Sequence, residues 1–225
     1  LAPDAAQTAR TLIGHGAHPN VFGVVVVGLG CEVVLAQDVA AEVTKLCPDK
    51  PVHCLIIQDA GGSIRAIEEG TRAAQQMMQA ASLCSREPVD ISELILGTEC
   101  GGSDACSGLS ANPALGMTSD LLIDAGGSVI LAETPELIGA EHLVAARAVN
   151  AEVEKRCYEV IEHCENEIKR LGVDLRGGNP SPGNIAGGLT TIEEKSLGCV
   201  YKGGTKPLQA VIDYAMPVTQ KGLVW

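Results

Sequence analysis

The stretch GVVVVGLGCE, residues 23–32, decides how the chain is read. Four consecutive valines make neither a helical stripe nor a strand alternation. A continuous β-branched run of this kind marks a strand buried on both faces, as in a parallel sheet. It breaks into Gly28-Leu29-Gly30-Cys31-Glu32, a flexible loop carrying a thiol and a carboxylate. The same grammar recurs downstream. Val52-His53-Cys54-Leu55-Ile56-Ile57 runs into Gln58-Asp59-Ala60-Gly61-Gly62-Ser63. Leu94-Ile95-Leu96 is followed by Thr98-Glu99-Cys100-Gly101-Gly102-Ser103-Asp104, and Val129-Ile130-Leu131-Ala132 by Glu133-Thr134-Pro135-Glu136.

Helical periodicity fills the intervals. Asp4 can cap a helix through Thr11-Leu12-Ile13. Residues 39–46 read as helix, and a longer one runs from Ser63 to Cys84 with Ala74, Met77, Met78 and Ala81 in step. Alternating strand and helix predict an α/β, Rossmann-like fold: a mostly parallel sheet with helices on both faces. Residues 1–146 read as that core. Residues 147–225 read as a helical and loop-rich segment packed on the same domain. Within it, Val149, Val153, Cys157, Val160, Ile161, Cys164, Ile168 and Leu171 form one apolar stripe, with Glu165 and Lys169 paired on the wet side. Gly177 to Asn184 reads as a long irregular loop. In a single parallel sheet the four loops after the strands would share one edge, where ligands bind.

Composition agrees. The chain has 225 residues, 46% apolar but only 2% aromatic, so the core is built from small aliphatic side chains. A net charge of −12 and no basic stripe argue against nucleic acid. No apolar run reaches membrane-spanning length and no secretory signal is visible, so a cytoplasmic home with reduced thiols is expected for the nine cysteines, disulfides being the alternative. The apolar ending Gly222-Leu223-Val224-Trp225 suggests a piece cut from a longer polypeptide.

The doublets Gly61-Gly62, Gly101-Gly102 and Gly203-Gly204 suit either anion binding by backbone N–H groups or plain tight turns. Gly28-Leu29-Gly30 lacks the third glycine of a dinucleotide fingerprint, because position 33 is Val; no nicotinamide cofactor is expected. Cys157 and Cys164 belong to the apolar stripe and read as core thiols, and Cys47, Cys54 and Cys84 as filler. Cys31, Cys100 and Cys199 lie in Gly- or Glu-flanked loops. They could hold Fe(II) or an iron–sulfur cluster; plain loop cysteines or an oxygen-ligated ion are the alternatives.

The motifs ECGGSDACSGLSANPALG (99–116), NPSPGNIAGGLTTIEEKSLGC (179–199) and KGGT (202–205), with HPNVFGVVVVGLGCE (18–32) and AETPELIGAEH (132–142), resemble the altronate and galactarate dehydratase family, which includes the large subunit of sulfolactate sulfo-lyase. The resemblance covers nearly the whole chain. It implies an iron-dependent lyase that dehydrates a sugar acid to a 2-keto-3-deoxy acid by β-elimination, or a sulfo-lyase releasing sulfite and pyruvate. It also implies a small β-rich N-terminal domain or separate subunit as partner, and a homo-oligomer is expected. On this reading Glu32, Asp104, Glu133 and His142 are the proton carriers. Ser103, Asn112, Asn179, Asn184, Lys195 and Lys202 hold a small anionic hydroxy acid, and Cys31, Glu99, Cys100 and Cys199 hold the metal. Ordinary turn-forming asparagines and a solvated Lys195 beside Glu193 and Glu194 are the plainer alternatives. A non-catalytic sugar-acid binding module and an assembly subunit are the other classes.

Overall fold

The computed structural model describes residues 4–225. The protein is mixed α/β and every strand pairing in it is parallel. The strands do not form one sheet, however. They divide between a two-stranded and a four-stranded sheet, in two compact units that part between Glu87 and Pro88. That division falls inside the span 1–146, which periodicity alone treats as a single core. Local strand–helix alternation says that parallel strands exist, not which of them pair.

The first unit holds residues up to Glu87 together with Asp213–Pro217. Its elements are α1 (Ala5–Ala17), β1 (Val24–Gly28), α2 (Ala36–Leu46), β2 (Val52–Ile56) and α3 (Ser63–Ala81). Asp4 sits at the start of α1, but its side chain makes no capping hydrogen bond. β1 and β2 pair in register from Val24 and Val52 to Gly28 and Ile56. The core of this unit comes from α2, through Ala36, Val39, Ala40 and Val43, with Leu55 and Ile56 of β2 and Ala66 and Ala73 of α3. The valine run is not buried on both faces: Val24 to Val26 are half-buried and Val27 is 53% exposed. Among the described residues β1 has one partner strand, β2, and an open edge. A cleft of about 560 Å³ runs along it, lined by all five strand residues, Leu12 of α1, and Glu32.

The second unit contains Pro88–Ile212 and Val218–Trp225. Its first strands are β3 (Ile95–Thr98) and β4 (Ser128–Leu131), joined by α4 (Ala111–Asp124). Then follow α5 (Glu141–Ala145), α6 (Ala151–Arg170), α7 (Leu175–Gly178), α8 (Pro182–Ala186) and α9 (Ile192–Cys199), before β5 (Leu208–Ala210) and β6 (Gly222–Val224). The sheet order is β3-β4-β6-β5. The apolar ending of the sequence is therefore a central strand, with Leu223 and Val224 fully buried between β4 and β5. α6 begins where Asn150 accepts a hydrogen bond from the Val153 N–H, carries Glu152 and Glu154 in its first turn and Lys169 and Arg170 in its last. It buries Cys157 and Ile161, and Glu165 meets Lys169 at 4.0 Å as the stripe predicts. The segment read as a long loop, Gly177 to Asn184, takes in the end of α7 and the start of α8. α8 is started by a capping box in which Ser181 and Asn184 satisfy each other's backbone N–H groups.

α4 fixes the turn that carries Lys202. Ser119 donates to the Lys202 carbonyl at 2.8 Å, and Asp120 accepts from the Thr205 N–H and hydroxyl, each at 2.8 Å. The approach is close because Gly116 faces this turn: a methyl group there would collide with the Tyr201 carbonyl oxygen and crowd Gly204. Alanine favours a helix over glycine by up to about 1 kcal/mol, but overpacking against backbone costs about 1–3 kcal/mol. Gly116→Ala is therefore expected to lower the unfolding free energy in urea titration. An unchanged or higher midpoint would show that α4 and this turn can separate freely.

Candidate functional site

In the second unit, Thr98 and Leu131 are register partners at the ends of parallel β3 and β4. Two residues further on, the chains deliver Cys100 and Glu133. Parallel pairing thus puts both loops at one sheet edge, as a parallel architecture requires. Glu133 adopts a left-handed backbone, φ 67°, which a non-glycine residue holds only where its surroundings enforce it. Here the enforcement is visible: its Oε2 accepts from the Cys100 N–H and, at 3.2 Å, from Lys202 Nζ. Glu133 leads into the 3₁₀ turn Thr134–Leu137, which has Pro135 in its first turn and carries Glu136.

α9 supplies the other wall. Its last residue, Cys199, is buried, with Sγ 3.4 Å from Cys100 Sγ. Glu136 Oε2 lies 3.9 Å from Cys100 Sγ and 4.0 Å from Cys199 Sγ. Lys202 is 1% exposed and donates to Cys100 Sγ at 3.0 Å. Lys195, 8% exposed on α9, donates to Glu136 at 2.8 Å and to the side-chain oxygens of Asn179 at 3.1 Å and Asn184 at 3.2 Å. Asn184 in turn donates to the carbonyls of Gly102 and Ser103, so α8 is tied to the loop after β3. α9 can lie this near the loop because Gly108 faces Gly198, where any side chain on Gly108 would meet Gly198 Cα at 2.8 Å. Asn112, in the first turn of α4, secures the same contact by donating to the Gly198 carbonyl at 3.0 Å.

The electrostatics follow from these neighbours. The Cys100 thiol is lowered to about 7: the Cys199 thiol donates to it, burial opposes the shift, and Lys202 adds to the lowering. The shared proton and burial push the Cys199 thiol far up. Burial works against the charged form of Glu133, but its hydrogen bonds from Cys100 and Lys202 outweigh it and hold the carboxylate below its usual range. For Lys202 burial again opposes, and the thiols and Glu133 together raise its pKa. Two sulfurs and a carboxylate oxygen so placed are donors that could hold one soft or borderline cation. Beside them lies a small cavity of about 50 Å³, lined among others by Ser103, Asp104, Asn112, Lys195 and Cys199.

Residues 91–225 match the family model D-galactarate/Altronate dehydratase, C-terminal, and residues 1–82 match D-galactarate dehydratase/Altronate hydrolase, second domain. The chain belongs to the D-galactarate/altronate dehydratase family. The first match ends at residue 82 and the other begins at residue 91, on either side of the division between Glu87 and Pro88. Among its relatives, the chain is 38% identical over 223 residues to the altronate dehydratase of Bacillus subtilis, covering 99% of this chain and 44% of that protein. It is 37% identical over 228 residues to the L-threo-forming galactarate dehydratase of Escherichia coli, covering 99% and 43%. Against the (2R)-sulfolactate sulfo-lyase subunit beta of Chromohalobacter salexigens it is 40% identical over 218 residues, covering 95% and 54%. The chain thus spans about half the length of the curated relatives it matches.

Of the residues singled out in the sequence, the second unit brings Cys100, Cys199, Glu133, Lys195, Lys202, Asn179 and Asn184 into one network, with Ser103, Asp104 and Asn112 at the adjoining cavity. Glu99 is exposed, and the carboxylate that meets the two sulfurs is Glu136. In an extended segment, neighbouring residues point to opposite sides, so Glu99 faces away when Cys100 faces in. Glu136 was missed because its position depends on the 3₁₀ turn. The i,i+3 spacing from Glu133 is the one available signal, since such residues stack in a 3₁₀ helix. His142 is exposed on α5. Cys31 and Glu32 belong to the first unit. There Glu32 accepts from the Gly30 and Cys31 N–H groups at 2.7 and 3.1 Å, which lowers its carboxyl pKa.

Both lysines are engaged by protein groups, Lys195 by Glu136 and Lys202 by Glu133 and the Cys100 sulfur. Lys195→Met would strand the mostly buried Glu136 carboxylate, a loss on the order of 3–5 kcal/mol for a buried pair. Adding Glu136→Gln in the same chain should restore part of that loss. Thermal or urea denaturation of the two singles and the double variant measures the coupling. Strictly additive losses would show that the pair does not interact.

Proposed function

We propose that the full-length protein is a hydro-lyase that dehydrates a sugar acid such as altronate or galactarate to a 2-keto-3-deoxy acid, with the Cys100–Cys199–Glu136 cluster as its metal-holding site. The observation that carries this reading is the meeting of two thiols and a carboxylate at one sheet edge in a chain of this family. The names of the altronate and galactarate dehydratase relatives support the reaction class.

The donor set fits a cation. The ligand atoms stand 3.4 to 4.0 Å apart. With metal–sulfur bonds near 2.3 Å, tetrahedral neighbours stand roughly 3.8 Å apart. Two thiols with one carboxylate suit a single Fe(II) better than an iron–sulfur cluster, whose irons are held mostly by thiolates. When bound, the ion would supply positive charge against the negative charge that develops beside the substrate carboxylate.

The protein's own groups divide the remaining work. Lys202 and Glu133 hold Cys100 in place from its side chain and its backbone. Lys195, itself held by Asn179 and Asn184, aims Glu136 at the sulfurs. Ser103, Asp104 and Asn112 line the cavity beside the cluster, where a substrate hydroxyl can be bound. Its volume of about 50 Å³ suits one substrate group, not a whole sugar acid. Among the proton carriers expected from sequence, Asp104 lies at that cavity, its Oδ1 accepting from the Cys106 N–H at 2.8 Å and the Ser107 hydroxyl at 3.2 Å, whereas Glu133 is held by Cys100 and Lys202. We assign Asp104 the protonation of the departing hydroxyl, which cannot leave as free hydroxide without help.

A second reading is supported by the 40% identity to the sulfo-lyase subunit: elimination of sulfite from sulfolactate. Sulfite is a better leaving group and would place less demand on Asp104. That relative's name, which calls it a subunit, also supports assembly with a further subunit.

Anaerobic Fe(II) binding and turnover of altronate, galactarate and sulfolactate by the full-length protein test the proposal. Turnover of a sugar acid is expected to be lost on chelation and recovered with Fe(II). Glu136→Gln should weaken Fe(II) binding by at least about tenfold, whereas Glu99→Gln should leave it nearly unchanged. Full turnover by metal-free protein would sink the metal site, and turnover confined to sulfolactate would select the second reading.

A further inference from the structure

We infer that Cys100 and Cys199 are a redox-active pair that closes into an intrachain disulfide under peroxide, converting the two sulfur donors of the site into a form that cannot hold a metal. All nine cysteines are free thiols, and the pair that meets at this site is flanked by a buried cation. The two sulfurs are 3.4 Å apart, already in van der Waals contact. A disulfide needs about 2.0 Å, so closure requires the side chains to approach by only about 1.4 Å. Unequal burial assigns the roles. Cys100 is half-buried and can be reached by a small oxidant, whereas Cys199 is 2% exposed and can be reached mainly by Cys100. Lys202 Nζ, 3.0 Å from Cys100 Sγ, stabilises negative charge on the attacking sulfur.

The chemistry balances with hydrogen peroxide as the oxidant. Cys100 sulfur attacks one peroxide oxygen, the O–O bond breaks, and the departing hydroxide takes the proton that the thiol gave up, leaving Cys100 as a sulfenic acid and one water. Cys199 sulfur then attacks Cys100 sulfur. The S–S bond forms, the S–O bond breaks, and the hydroxide leaves with the Cys199 proton as a second water. Two electrons pass from the two sulfurs to peroxide, and a dithiol returns them by exchange. A resolving thiol in contact also spares Cys100 from irreversible oxidation to sulfinic acid. The exposed Cys31, Cys54, Cys84 and Cys106 serve as internal comparisons in the same chain.

The cross-link itself does not depend on the function proposed above; only its effect on metal binding rests on that reading. Metal-free full-length protein is treated with stoichiometric hydrogen peroxide, alkylated, digested without reductant and mapped by mass spectrometry. A peptide pair joining Cys100 to Cys199, lighter by two hydrogens and released by dithiothreitol, is expected. In Cys199→Ser, Cys100 should instead be trapped as a sulfenic acid by dimedone. The inference is overturned if wild-type Cys100 and Cys199 are recovered as free thiols, as separate sulfinic acids, or bridged to other cysteines. Fe(II) binding is measured before and after oxidation. Binding that is lost with the cross-link and regained with dithiothreitol completes the inference, and binding that survives the cross-link refutes its second half. If the reduced protein takes no Fe(II) yet forms the cross-link, the functional reading falls and the redox pair stands.

Discussion

Two nearly buried ammonium groups organise the second unit. Moving a charged amine out of water costs several kcal/mol unless anions and hydrogen-bond acceptors replace the lost solvent. Lys202 finds Glu133 and the Cys100 sulfur, and Lys195 finds Glu136, Asn179 and Asn184. These partners come from the loops after β3 and β4 and from the segment before α9. The need to satisfy two cations therefore ties segments about a hundred residues apart into one site. It also explains why Glu133 holds a left-handed backbone: a relaxed conformation would take its carboxylate away from the Cys100 N–H and Lys202 together.

This arrangement gives the lysines a different place from the one their sequence context suggests. A lysine near a Gly-rich loop is easily read as a clamp for an anionic substrate. Here each ammonium has protein partners: Glu133 and the Cys100 sulfur for Lys202, and Glu136 for Lys195. The same crowding brings two sulfurs together without bonding them. A shared cation and a disulfide, the two proposals made for this pair, would exclude each other, because both draw on the sulfur electrons.

Much of the secondary structure was legible along the chain. The β-branched and aliphatic runs of β1 to β4 have no competing helical period, and α3 and α6 carry long amphipathic stripes. The three-residue strands β5 and β6 were not, because Leu-Gln-Ala and Gly-Leu-Val are too short to show a period of two. α7 and α8 were hidden among glycines and prolines, where the capping box uses Asn184 in place of the usual Glu or Gln. In the site, Cys100 and Glu133 stood out because they follow strands, and Cys199 because it follows a glycine in a segment that reads as loop but forms the end of α9. Glu136 did not, because its place depends on the 3₁₀ turn, and Glu99, next to Cys100 in sequence, is exposed and does not meet the sulfurs.

The sequence by itself determined that parallel strands end in loops rich in thiols, carboxylates and glycine, because hydrophobic periodicity and backbone freedom are local properties. It also carried the family, through long motifs that need no coordinates. Tertiary structure alone decided that the strands split into two sheets, that the chain's apolar ending fills the centre of one of them, and that Glu136 rather than Glu99 joins the sulfurs. Those outcomes depend on which edges pair and which charges are buried together, and these are fixed by free energies summed over residues far apart in the chain.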